Sequence, residues 1–204
     1  MKKICLIDYG SGNQKSMYNL LDYLGYKVKL SNSIFDIEDS THIILPGVGS
    51  YSKLMKNLKE KKILDILNKE VIIKYKPFLG ICVGMQILST YGFEFEKSEG
   101  LNWIAGEVHK IDKKNIKLPH IGWNNILITK EDNIVDSLNN MDFYFLHSYV
   151  FNLKDNSNSI SKTNYGVEFN SIVKKDNIYG AQFHPEKSQE SGKIFLKNFL
   201  DKIN

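Results

Sequence analysis

A cysteine held between two glycines, Gly80-Ile81-Cys82-Val83-Gly84, and a histidine two positions before a glutamate, His184-Pro185-Glu186, are the residues here equipped for covalent chemistry. A thiolate is a strong nucleophile, an imidazole is the usual base that activates it, and a carboxylate orients the imidazole. The cysteine follows an apolar run and precedes Met85-Gln86-Ile87-Leu88, which reads as a helix start. That is the strand–turn–helix order of a nucleophile elbow, with sulfur in place of the hydroxyl. The flanking glycines relieve crowding at a sharp turn, and the start of the following helix is expected to favour the thiolate. Taken singly, each stretch has a bland account. A lone cysteine is more often a buried core thiol, and a histidine ending a strand is more often packing. Taken together, the two stretches outweigh the bland accounts and point to a cysteine nucleophile with its base and orienting carboxylate.

The elements that must position these residues read as alternating strands and helices. Residues 4–7 form a buried strand leading into Asp8-Tyr9-Gly10-Ser11-Gly12-Asn13. The third glycine of a dinucleotide fingerprint is missing, since position 15 is Lys15, so a nucleotide cofactor is disfavoured. Met17, Leu20, Leu21 and Leu24 recur at helical spacing, and Gly25 stops that helix. Strands are expected at 26–30 and 41–45, the second closed by Pro46-Gly47-Val48-Gly49. Glycines at the carboxyl end of a strand let backbone N–H groups approach a ligand, so this loop is a candidate oxyanion donor. Residues 51–74 read as one long helix burying Leu54, Leu58, Ile63, Leu64, Leu67, Val71 and Ile72. From Trp103 onward, short apolar runs broken by Asn, Asp and Lys suggest antiparallel pairing. Residues 187–203 close the chain as a helix with Ile194, Phe195, Phe199 and Leu200 inward. The fold class is α/β: three layers around a mostly parallel sheet, with a small antiparallel region in the C-terminal half. Residues 1–204 are expected to form one domain.

Composition narrows the function. The net charge is +4, and every basic residue is Lys; there is no Arg. Arg is the preferred reader of phosphate and guanine, and no basic block exists, so nucleic-acid binding is disfavoured. The two cysteines, Cys5 and Cys82, are not expected to pair, because a disulfide would disable the nucleophile; Cys5 reads as an inert core thiol. The first apolar run ends at Asp8, too short for a signal peptide, and no stretch approaches the roughly 18 apolar residues of a membrane helix. A cytoplasmic protein is expected.

Gly80-Ile81-Cys82-Val83-Gly84-Met85-Gln86 and Gln182-Phe183-His184-Pro185-Glu186-Lys187-Ser188 resemble the two active-site motifs of the class I (triad) glutamine amidotransferases. Within that family the chain is most similar to the glutaminase subunits of imidazole glycerol phosphate synthases. Leu45-Pro46-Gly47-Val48-Gly49, Leu118-Pro119-His120-Ile121-Gly122-Trp123-Asn124 and Phe143-Tyr144-Phe145-Leu146-His147-Ser148-Tyr149 carry the likeness along the chain, together with the Asp8–Asn13 stretch. The resemblance implies a flavodoxin-like amidotransferase fold, and a triad of Cys82, His184 and Glu186. It places the oxyanion donors at Val48, Gly49 and Val83, and the glutamine contacts at Gln86, Glu94, His147, Ser148 and Tyr149. Glu96 is an alternative to Glu94, because residues 91–96 depart from the usual acidic run. Asn13, His120, Trp123, Asn124, Tyr144 and Lys187 match segments near a partner, a (β/α)8-barrel cyclase that receives ammonia and forms a heterodimer with the glutaminase. No cofactor and no metal is called for. Three alternatives stand beside this reading: the same chemistry feeding a sugar amidotransferase, a partner-free γ-glutamyl peptidase, and a non-catalytic regulatory module. The last is expected to lack Cys82, His184 or Glu186, and all three are present.

Overall fold

The computed structural model describes residues 2–10, 14–112, 114 and 116–203. The first half alternates β1 (Lys3–Ile7), α1 (Gln14–Tyr23), β2 (Lys27–Ser31), α2 (Ile34–Asp39), β3 (His42–Gly47), α3 (Tyr51–Glu60), α4 (Leu64–Leu67), β4 (Phe78–Cys82) and α5 (Val83–Gln86). The second half is richer in strands: β5 (Tyr91–Gly92), β6 (Ser98–Glu99), β7 (Gly106–Lys110), β8 (His120–Asn125), β9 (Leu127–Ile128), β10 (Asp142–His147), β11 (Tyr149–Leu153), β12 (Ser159–Asn164), β13 (Glu168–Lys175) and β14 (Ile178–Ala181), then α6 (Gln189–Lys202).

One sheet runs in the order β2-β1-β3-β4-β14-β13-β12-β9. Its first five strands are parallel and its last three antiparallel. Every residue of β3 and of β4 is buried, so both faces of the sheet are covered there. The edge strand β2 instead carries exposed Lys27 and Lys29, which discourage further pairing. Two smaller sheets, β10-β8 and β11-β7-β5-β6, account for the antiparallel texture of the second half.

Three expectations need correction. The helix expected over 51–74 breaks after Glu60, where Lys62 adopts φ +55°, and resumes as α4 running into a π-helical stretch, Asn68–Ile73. The wider turn leaves Ile72 41% exposed and carries Glu70 inside, where Lys74 and Lys76 meet its carboxylate at 2.7 and 2.8 Å. The helix expected after Cys82 is one turn long and ends at Gln86. The terminal helix starts at Gln189, preceded by a 3-10 turn over Pro185–Lys187.

Sheet register gathers the chemistry. In the parallel pairing Gly47 lies opposite Cys82, and Ala181 opposite Ile81, so the loops after β3, β4 and β14 leave the same edge. Ligands in open parallel sheets sit at that edge.

Candidate active site

Cys82 ends β4 with φ +53° and ψ −110°, a conformation that a side chain adopts only under constraint from its surroundings. The constraint is the close seat of α5 on the sheet. A Cβ on Gly84 would lie 2.2 Å from the Leu45 carbonyl oxygen, so only glycine allows the turn to pack there. Cys82 is 4% exposed, on the wall of a cavity of about 180 Å³ that it shares with Gly49, Val83, Gln86, Glu94, Leu146, His147, Ser148 and Tyr149. Larger grooves lie elsewhere, one of about 650 Å³ along α3 lined by Lys53, Lys56, Lys59 and Glu96, but neither cysteine lines them.

His184 acts on the sulfur, and Glu186 stands behind the ring. The ring Nδ1 lies 2.9 Å from Glu186 Oε1, and both side chains are almost wholly buried. With Nδ1 taken, Nε2 is the nitrogen left for Cys82, whose charge acts on the ring. Burial alone would lower the imidazole pKa. The Cys82 sulfur and then the Glu186 carboxylate outweigh it and push the ring up to about 10. Its backbone is tied down as well: the His184 N–H donates to the Tyr144 carbonyl, and Ser188 Oγ donates to the His184 carbonyl. Glu186, His184 and Cys82 thus follow one another in line, the imidazole bonded to the carboxylate and acted on by the sulfur, which lies on the cavity wall.

The oxyanion candidates divide. Gly49, at φ +98°, and Val83 line the cavity, whereas the Val48 N–H donates to the Tyr9 phenol at 3.0 Å and is not free for a substrate oxygen. Of the two carboxylates, Glu94 lines the cavity and accepts from the Tyr51 N–H, while Glu96 belongs to the α3 groove. Burial, and then the Glu94 charge, raise the pKa of the Tyr149 phenol. Gln86 spends its amide nitrogen on the Tyr149 carbonyl and the Gln182 side chain.

Of the partner candidates, His120, Trp123, Asn124 and Tyr144 sit on the antiparallel β8–β10 hairpin and Lys187 in the 3-10 turn after β14. Register pairs Trp123 with Tyr144 and Ile121 with Leu146, and strand alternation turns these four outward. Trp123 is 48% exposed and Ile121 57%; the Tyr144 ring meets Trp123 edge-on and has Lys187 Nζ 5.5 Å from its centroid. His120, by contrast, is buried on the inward face, stacked on Tyr165, with Asn124 at its outer nitrogen. Asn13 lies outside the described residues.

A family model for class-I glutamine amidotransferases matches residues 5–203. The chain belongs to that family. Among similar amidotransferases is the imidazole glycerol phosphate synthase subunit HisH 2 of Methanococcus maripaludis, 43% identical over 97% of this chain and 98% of that one. The subunit of the same name from Vibrio vulnificus is 40% identical over 98% and 94%. The solved structure of PurLQS from Thermotoga maritima matches all of both chains with a TM-score of 0.77 at 20% identity. A crystal structure of a glutamine amidotransferase matches with 0.76 at 17% identity over 97% of each. These structural likenesses concern the amidotransferase fold alone. The sequence offered no cue for the roles of three groups at this site: Tyr9, which holds the Val48 N–H; the Leu146 carbonyl, 3.7 Å from the Cys82 sulfur; and Gln182, whose Nε2 also lies 3.7 Å from that sulfur. Gln182 stands inside the histidine motif, but its position reads as an ordinary strand residue.

Proposed function

We propose that residues 1–204 work as one glutaminase unit, the ammonia-producing subunit of an imidazole glycerol phosphate synthase in the cytoplasm. The observation that carries this reading is the Cys82–His184–Glu186 line at a small cavity. His184 takes the thiol proton, and the Cys82 thiolate attacks the side-chain carboxamide carbon of glutamine. The imidazolium then protonates the departing nitrogen, and ammonia leaves as the γ-glutamyl thioester forms. Water, deprotonated by His184, attacks the thioester; glutamate departs and the thiol is restored. Glu186 keeps Nε2 on the reacting side throughout. The Val83 N–H and the Gly49 loop hold the developing oxyanion, and Glu94, Gln86 and the 147–149 segment hold the amino-acid end of the substrate.

Each oxyanion donor in such a site is worth about 3 kcal/mol of barrier. Because the Val48 N–H is held by Tyr9, the isolated chain is expected to be a weak glutaminase until a partner frees that donor. The partner is a (β/α)8-barrel cyclase bound as a heterodimer on the Ile121, Trp123, Tyr144 and Leu146 face; it uses the ammonia to make imidazole glycerol phosphate and aminoimidazole carboxamide ribotide. Ammonia release from glutamine, measured with and without that cyclase and its substrate, tests the reading. Wild type is expected to respond to the partner and Cys82→Ala to be silent in both. Release by Cys82→Ala removes the catalytic assignment, and full activity of the isolated chain removes the switch. A sugar amidotransferase as acceptor leaves every residue role unchanged, and co-purification with one or the other synthase separates the two.

A further inference from the structure

The cysteine elbow leaves a chemical problem unsolved. α5 has only four residues, so its dipole offers little to a thiolate. The Leu146 carbonyl oxygen, 3.7 Å from Sγ, accepts from a thiol but repels a thiolate. Beside the His184 imidazolium, the group that compensates is Gln182, which is fully buried. Its orientation follows from a backbone group that admits no ambiguity. The Tyr149 carbonyl can only accept, so the Gln86 atom 3.0 Å from it is the amide nitrogen. That nitrogen also lies 3.1 Å from the Gln182 side chain, which must therefore present its oxygen. The Gln182 NH2 is thereby turned toward Cys82 Sγ.

We propose that Gln182 is a catalytic hydrogen-bond donor to the Cys82 thiolate, with Gln86 and the Tyr149 carbonyl as the positioning groups that keep its NH2 facing the sulfur. Gln182 transfers no proton. The thiol proton goes to His184, and Gln182 offsets the repulsion from Leu146 once the charge has formed. The proposal rests on Cys82 being the glutaminase nucleophile. It also gives Gln86 a role before substrate arrives, since its amide nitrogen donates to both the Tyr149 carbonyl and Gln182 Oε1.

The test is the pH dependence of iodoacetamide alkylation at Cys82, read by mass spectrometry of its peptide in the full chain. Cys5 is scored separately; burial, and then the Asp36 charge, push that thiol up to about 12. In Gln182→Leu the alkylation midpoint is expected to rise by about one pH unit, the size of one lost hydrogen bond to a charged group. Gln86→Leu moves it the same way by less, and the double variant matches Gln182→Leu alone. A wild-type midpoint in Gln182→Leu overturns the proposal, whatever happens to its melting temperature. Should Gln182→Leu not fold, a wild-type midpoint in Gln86→Leu overturns it instead. No glutamine enters this measurement. A complex that releases no ammonia from glutamine therefore removes the glutaminase reading while leaving the thiol result standing.

Discussion

His184, on the loop after the parallel sheet, and the His120–His147 pair, inside the antiparallel hairpin, are buried to nearly the same degree: 2%, 2% and 6% exposed. Their rings are nonetheless driven in opposite directions. Burial lowers His120 to about 4, and burial reinforced by the neighbouring His120 lowers His147 to about 3. His184 meets the same burial, but the Cys82 sulfur and the Glu186 carboxylate raise it to about 10. In the hairpin the rings hydrogen-bond only to one another, to an amide and to a carbonyl, and no carboxylate or thiolate is among the causes of their shifts. The His147 Nδ1 position faces the Tyr149 carbonyl, which can only accept, so His147 Nε2 must accept from His120 Nδ1–H. The lesson is that depth sets the cost of a charge and neighbours decide its sign. The parallel half is arranged to hold a charge that moves, and the hairpin half to exclude one.

Removing the charge partner breaks this contrast most severely. Glu186→Gln is expected to lower glutaminase turnover by roughly 10²- to 10⁴-fold, through loss of ring orientation and imidazolium stabilisation. The His184 titration should move down from its position near 10, which NMR of the ring protons reads directly. A ring that still titrates near 10 in this variant would mean that the sulfur alone sets it.

Gly84→Ala tests the rigidity of the parallel half. Its Cβ has no room against the Leu45 carbonyl, so a loss of about 3 kcal/mol in unfolding free energy is expected. A stable, active variant would show that the elbow can shift. Trp123→Ala tests the outer face of the hairpin, where the side chain is half in solvent. Unfolding should be unchanged within error, while binding to the synthase partner weakens by about 2 kcal/mol, roughly 30-fold by titration calorimetry.

The smallest effect concerns the inner face. His120 and His147 have folded pKa values below their ordinary 6.5. The unfolded chain therefore binds more protons below that pH. Their contribution is present above pH 6.5 and is lost as pH falls toward 4 and then 3. His184 runs the other way, its contribution present below 6.5 and lost as pH rises through about 10. His120→Asn removes one titrating ring and retains a donor toward His147. Its melting temperature should decline less steeply between pH 6.5 and 4 than that of wild type, from a slightly lower start. An unchanged slope would place the acid sensitivity elsewhere.

Much of the parallel half was legible in the chain itself, because its strands are short apolar runs closed by glycine or proline and its helices repeat at 3.6 residues. The two motifs named Cys82, His184 and Glu186 for the same reason: glycine on both sides of a cysteine, and a proline between a base and an acid, are local constraints. The helix over 51–74 misled because periodicity cannot register a π-helical stretch, which turned Ile72 out and Glu70 in. The hairpin was legible only as texture. Strand alternation hides Phe143, Phe145 and His147 while exposing Tyr144 and Leu146, and which set faces inward depends on the partner strand β8.

The amino-acid order by itself determined that a thiol would sit on a tight turn and that an imidazole would have a carboxylate two residues away, since both depend on backbone geometry within a few positions. Only the tertiary structure decided that Gln182 aims its NH2 at the sulfur, that Leu146 opposes it, that Tyr9 occupies the Val48 N–H, and that Glu94 rather than Glu96 reaches the cavity. Each of these is a contact between segments far apart in the chain. Hydrogen-bond direction across such contacts is fixed by which group lacks a proton to give, and that is known only once the strands have been brought side by side.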